Sequence, residues 1–213
     1  MLARRLAWYG LYSCGWLVLA DAPFSGHAAM LVGNHVARDG RHRMWEVFSA
    51  SAEARDGKPD PLDRWTKRIM DATASRADAV AIYPFDRPYP PFQTWAMAAT
   101  GMKPSPLGIL IHEKFGLWQA FRAFLVFGKG VELELPKPAS HPCESCRDRP
   151  CLCECPVNAF SDHGFDVGSC RNHLASGNEP HCMSLGCRAR AACPVGIPYA
   201  DAQIRFHMQA FAG

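Results

Sequence analysis

Cysteine is nearly missing from the first 142 residues of this 213-residue chain, where Cys14 stands alone. A disulfide scaffold would staple the whole of a small domain, so this distribution argues against one. Long apolar runs are missing too. Leu6 to Ala20 follows Arg4 and Arg5 and has the outline of a secretory leader, but Gly10, Tyr12, Ser13, Gly15 and two tryptophans interrupt it. It reads better as a helix over Leu2–Tyr9, a stop at Gly10 and a β run at Trp16–Leu19. No stretch reaches the about eighteen apolar residues that a membrane span needs. Strong charge of one sign is also lacking: the net charge of +3 is too mild to signal a nucleic-acid binder. With 48% hydrophobic and 20% charged residues, the chain is not disordered as a class and is long enough to bury a core.

What is present divides the chain. Residues 1–135 read as an α/β body. Ala28–Gly33 is a second candidate strand, and Arg41–Ala54 a helix. Asp60-Pro61-Leu62-Asp63 has helix-start chemistry, with an N-cap carboxylate and Pro at N1. Leu62, Trp65, Ile69 and Ala72 continue a helical stripe. Val80–Tyr83 is a third short strand. The four prolines between Tyr83 and Pro91 exclude helix or central strand there, and a helix is expected over Phe92–Thr100. The apolar runs Leu107–His112 and Leu117–Phe127, joined through Gly116, suggest a β hairpin. Residues 136–142 form a Pro-rich linker.

Nine cysteines then crowd into residues 143–193. They read Cys143-x2-Cys146-x4-Cys151-x3-Cys155-Pro156 and Cys170-x11-Cys182-x4-Cys187-x5-Cys193-Pro194. A [4Fe-4S] cube needs four converging thiolates, and in two-cluster ferredoxins the fourth cysteine of each run crosses to the other cluster. That crossover assigns Cys143, Cys146, Cys151 and Cys193 to one cluster, and Cys155, Cys170, Cys182 and Cys187 to the other. Cys153 is left over, and Cys14 is expected to act as a small buried hydrophobe. Zinc is the main alternative, with Cys143 and Cys146 spaced for a tetrahedral site and His141, His163, His173 and His181 nearby, although two Cys-Pro units are not expected of zinc. Arg147, Arg149, Arg171, Arg188, Arg190 and Arg205 read either as counter-charges to the clusters or as ordinary surface arginines.

The run Leu107-Gly108-Ile109-Leu110-Ile111-His112-Glu113-Lys114-Phe115-Gly116-Leu117-Trp118, followed by the Pro-bearing linker and the two cysteine runs, resembles the core of the epoxyqueuosine reductase family. Reductive dehalogenases carry a similar end. Gly108–Phe127 also resembles the cobalamin-processing chaperone that removes upper ligands from vitamin B12. The whole chain looks like small two-cluster bacterial ferredoxins that share Tyr83-Pro84-x-Asp86-Arg87-Pro88-Tyr89-Pro90-Pro91-Phe92 and His207-Met208-x-Ala210-Phe211-Ala212-Gly213. The resemblance implies an α/β body related to corrinoid- and flavin-binding reductases, followed by a ferredoxin-like module of short helices and loops over residues 143–213, an α+β chain overall.

Two functions follow as expectations. The first is a cytoplasmic electron carrier that passes single electrons through two [4Fe-4S] clusters to a transient redox partner protein, with no catalytic residue required. The second is a reductase whose clusters feed a corrinoid or flavin held by the body. Tyr83, Tyr89, His112, Trp118 and Arg122 are its candidate pocket groups, each with a structural alternative in core packing or charge pairing. Neither a nucleic acid nor a membrane is expected as a partner.

Overall fold

Apolar residues at consecutive positions explain the centre of the first unit. The computed structural model describes residues 1–37, 39–130, 133, 140–161, 164–177 and 180–212. The chain divides into two compact units, Met1–Met102 with Gln119–Ala139, and Lys103–Trp118 with Ser140–Gly213. The first contains α1 (Leu2–Trp8), β1 (Tyr12–Val18), β2 (His27–His35), α2 (Arg43–Ser49), α3 (Pro61–Arg76), β3 (Val80–Ile82), α4 (Phe92–Thr100) and β4 (Gln119–Lys129). The strands lie in the order β1-β2-β4-β3 and every pairing is antiparallel. β2 and β4 are central. Ala28–Val32 and Arg122–Val126 are buried without alternation, as strands covered on both faces must be.

α4 packs along β1 and β2, and α3 along β3 and β4. Phe92 and Trp95 meet the ring of Phe124 edge-on, at 4.9 and 5.8 Å between centroids. Trp65 of α3 packs against Phe48 of α2 at 5.8 Å and against Tyr9 at 6.4 Å. Burying such a side chain fully stabilises by about 1.5–3 kcal/mol relative to leaving it in water. Gly15 sits at an irregularity in β1, and a Cβ there would fall 2.1 Å from the carbonyl oxygen of Ala99. Only glycine lets α4 approach that strand so closely.

Several expectations need correction. The body's sheet is antiparallel throughout, so the α+β description fits it better than a parallel α/β one. Asp60 does not cap α3 with its side chain; its backbone is left-handed, with φ of 50°. Arg64 organises that loop instead, donating to Pro59 O at 2.8 Å and to both carboxylate oxygens of Asp56. α2 covers only Arg43–Ser49 of the expected 41–54, and Ser51 Oγ beyond it accepts from Ala54 N–H at 3.3 Å in a turn. The hairpin over 107–127 does not form. Its second half is β4, which pairs with β2 and β3. Its first half is a run of turns held by isolated bridges, Pro104 to Leu110 and His112 to Gly116. Pro106, Gly108 and Gly116 break that half, the two glycines at φ of 75° and 57°. Most of the linker expected at 136–142 lies outside the described residues.

The second unit holds α5 (Pro142–Ser145), α6 (Pro150–Cys153), β5 (Phe160–Ser161), β6 (Gly164–Phe165), α7 (Val167–Ser176), α8 (Pro180–Leu185), α9 (Arg188–Ala191) and α10 (Asp201–Ala212). Its buried cluster is Leu107, Ile111, Leu117, Cys155, Ala159 and Ala189, with Cys143, Cys151, Cys170, Cys187 and Cys193 packed against it. Lys103–Trp118 thus supplies the cluster's buried leucine and isoleucine side chains, Leu107, Ile111 and Leu117.

Candidate functional site

The second unit presents eight cysteines to two pockets, six of them in or capping its helices. Cys143 lies in α5, Cys146 is its C-cap and Cys151 lies in α6. With Cys193 they line a cavity of about 240 Å³ that Ile111 and Leu117 wall on the apolar side. Cys170 lies in α7, Cys182 in α8, and Cys187 is the N-cap of α9. With Cys155 they line a second, smaller cavity of about 20 Å³ beside His173 and Met208.

The electrostatics divide the thiols in the same way. Burial raises the Cys143 thiol first, and the charges of Cys193, Cys151 and Cys146 raise it further, against the opposing pull of Arg149. Cys151 is raised by burial, then by Cys193 and Cys146. In the other pocket burial, then Cys187, Cys155 and Cys182, push Cys170 up to about 11. Cys187 is raised chiefly by burial, partly opposed by backbone N–H groups of Arg190 and Ala189, and then by Cys182 and Cys155. Each pocket by itself therefore disfavours thiolates. A bound cation would reverse that balance by neutralising them.

Local chain geometry fixes these positions. Gly116 and Gly196 cross backbone to backbone. A Cβ on Gly116 would fall 1.8 Å from Val195 O, and one on Gly196 would fall 2.2 Å from Phe115 O. This crossing ties the Cys193-Pro194 end of the chain to the turn before Leu117. Ala159 N–H donates to Cys155 Sγ at 3.3 Å. Cys153 stays exposed on α6, because residues two apart on a helix do not share a face. Cys14 lies half-buried in the body, where burial pushes its thiol up to about 12. His141 is spent on structure: Nδ1 accepts from Cys143 N–H at 3.4 Å and Nε2 lies 3.1 Å from Pro104 O. His163 lies outside the described residues.

The five residues expected at a corrinoid or flavin are divided between the two units. Tyr83, Tyr89 and Arg122 belong to the first unit, His112 and Trp118 to the second. Tyr83 is 1% exposed; its hydroxyl donates to Asp71 at 2.7 Å, and burial followed by that bond raises its pKa. Arg122 is the extra residue of a bulge in β4, where Val32 pairs with Ala123 and Gly33 with Phe121. The bulge re-aims its buried side chain so that Nε donates to Asn34 Oδ1 at 2.9 Å. Tyr89 is 60% exposed, with the Arg87 guanidinium 3.6 Å from its ring centre. His112 Nδ1 accepts from Lys114 N–H at 3.0 Å. Trp118 is buried against Tyr199, with ring centres 5.4 Å apart. The sequence did not single out Gly116 and Gly196 as a crossing. Their signal was two glycines flanking an apolar turn and a Cys-Pro unit, legible only once the chain is folded.

No protein-family model matches the chain, and no curated protein sequence matches it. Among solved structures it is similar to a B12-trafficking protein CblC of C. elegans, a human MMACHC homologue. The TM-score is 0.54 at 14% identity, covering 99% of this chain and 90% of that one. The likeness is one of fold.

The electron-carrier expectation is overturned. The fold neighbour is a B12-trafficking protein and not a ferredoxin, and among the described residues no group of three or more His, Cys, Asp or Glu side chains is set to hold a metal ion. Iron–sulfur electron transfer, the oxidoreductase reading whose clusters feed a cofactor, and the redox partner expected with them therefore lose their basis. Among the described residues no helix is long and apolar enough to cross a membrane.

Proposed function

We propose that this chain handles a corrinoid. One observation carries the reading: its fold aligns over 99% of its length, cysteine-rich unit included, with a B12-trafficking protein. The cavity in the body at Phe24, His27, Val80 and Phe127 measures about 230 Å³. That is below the about 300–1,000 Å³ of pockets enclosing drug-sized ligands, and a corrinoid is larger than such ligands. The corrinoid is therefore proposed to lie against open surface and not inside this cavity. Of the five candidate residues, Tyr89 offers the most accessible ring. Tyr83, Trp118 and Arg122 support their own units from within.

The test is titration of the full chain with hydroxocobalamin, followed by absorbance. Saturable binding with a shifted corrinoid spectrum supports the reading, and Tyr89→Ala should weaken it. An unchanged spectrum at a tenfold excess of protein would overturn it.

A second reading rests on a different observation, the division of eight cysteines between two pockets. Cys143, Cys146, Cys151 and Cys193 form one proposed thiolate set and Cys155, Cys170, Cys182 and Cys187 the other; among the described residues neither is preset around an ion, so a soft cation would draw each set together. Thiolate ligands select soft and borderline metals over hard ones such as magnesium or calcium. Metal that survives gel filtration and is released by alkylating the thiols supports this reading. A metal-free chain with all ten thiols freely titratable contradicts it.

A further inference from the structure

α9 is a single turn, yet it joins Cys187 of one thiol set to Cys193 of the other. Arg190 sits within it, between the two. Cys187 is the N-cap and its carbonyl oxygen accepts from Ala191 N–H at 2.9 Å, while the carbonyl oxygen of Arg190 accepts from Cys193 N–H at 3.3 Å. The turn is too short to hold this geometry by its own hydrogen bonds, since an isolated helix needs several turns to be stable.

The side chain of Arg190 supplies what the turn lacks. Its guanidinium lies 4.4 Å from the ring centre of Trp118 and 5.2 Å from that of Tyr199. One of its terminal nitrogens donates to Leu117 O. Trp118 and Tyr199 meet edge-on, so the cation is seated on a rigid aromatic corner. Leu117 itself walls the cavity of the first thiol set. A planar guanidinium can stack on one ring and donate in its own plane at once, which an ammonium cannot do.

We propose that Arg190 is a positioning residue for both thiol sets: by anchoring α9 to Leu117, Trp118 and Tyr199 it fixes the sulfurs of Cys187 and Cys193 together. The proposal rests on the reading of the eight cysteines as two sets. Arg190 touches no bound group itself. Its effect passes through two cysteines, one in each pocket.

The experiment maps thiol reactivity on the full-length chain, reduced and stripped of metal by chelator. Each cysteine is followed by limited N-ethylmaleimide labelling and peptide mass spectrometry, in wild type, Arg190→Ala, Arg190→Gln and Arg190→Lys. In Arg190→Ala, labelling of Cys187 and Cys193 should accelerate by about tenfold, the scale on which a lost hydrogen-bonded anchor shows in local opening. Cys143, Cys146 and Cys153 should stay within about twofold of wild type. Arg190→Lys should restore slow labelling only partly, because it keeps the charge over Trp118 and loses the planar donor. Equal acceleration at every cysteine would mean that Arg190 merely stabilises the unit, and would overturn the proposal; so would no change at Cys187 and Cys193. If Arg190→Ala unfolds the unit, Arg190→Gln decides between the same selective and non-selective patterns. Metal content of the untreated wild-type chain is measured in parallel. A metal-free wild type would sink the reading of the thiol sets, while the labelling pattern would still report on Arg190.

Discussion

The two units of this chain solve the same problem with different materials. The first buries aromatic and aliphatic side chains on an antiparallel sheet, with Phe124 and Leu125 fully enclosed at its centre. The second has short helices, two-residue strands and a buried cluster in which cysteines outnumber any other residue packed against it. The first is specified mainly by hydrophobic burial. The second places polarizable thiols where a core would otherwise be, and their mutual repulsion when ionised is destabilising unless something cationic sits among them. If the proposed thiolate sets hold a cation, the second unit's order would be coupled to it, while the body's would not.

The largest effect that sharpens this contrast is in the body. Phe124→Ala removes a ring that packs against both Phe92 and Trp95, and should cost about 3–5 kcal/mol. Chemical denaturation should show the loss with the same size before and after the chain is treated with chelator. In the second unit, Gly116→Ala meets both a positive φ and a carbonyl oxygen 1.8 Å away. It should cost about 2 kcal/mol or more, beyond what a compatible glycine replacement changes. The diagnostic readout is faster labelling of Cys193 with Cys14 unchanged.

Smaller effects test the body's polar contacts. Tyr83→Phe deletes the donor to Asp71 and Lys67 O and should cost about 1 kcal/mol in thermal unfolding. Glu53 pairs with Arg68, and that bond holds its carboxyl down at about 2. A carboxyl lowered on folding contributes its full stability above its unfolded value of about 4.3, and loses it as pH falls through its folded value. Acid titration of stability should therefore show a loss between about pH 4.3 and pH 2 that Glu53→Gln abolishes. Because Arg68 is largely exposed, solvent screening limits the effect to about 1 kcal/mol or less.

Much of the body was legible because its signals are local. Phe92–Thr100 forms the expected helix with the expected ends, after a proline-rich stretch that permits nothing else. Val80–Ile82 and His27–His35 follow from β-branched and apolar runs. Leu117–Phe127 misled in its partner and not in its type. The stretch from Gln119 is a strand, but its pairing with β2 and β3 is set across more than eighty residues for β2, which no local pattern reveals. Asp60 illustrates the opposite failure. Its side chain had the chemistry of a cap, and Arg64 took over the loop instead. At the site, two pockets are lined by the same two groups of four cysteines that the spacing set apart, while the electron carrier expected from them is overturned by the fold neighbour and the lack of a metal-holding group among the described residues. Arg190 was visible as one arginine among six, and its seat on Trp118 and Tyr199 depends on a chain crossing that spacing does not encode.

The division of the thiols is tested most directly by metal analysis of two matched variants, Cys143→Ser and Cys155→Ser, purified without oxygen beside the wild type. The account predicts that each variant loses only the metal of its own pocket, so that their separate losses add up to the wild-type content. A wild type that holds no metal, or a single substitution that empties both pockets, would contradict it.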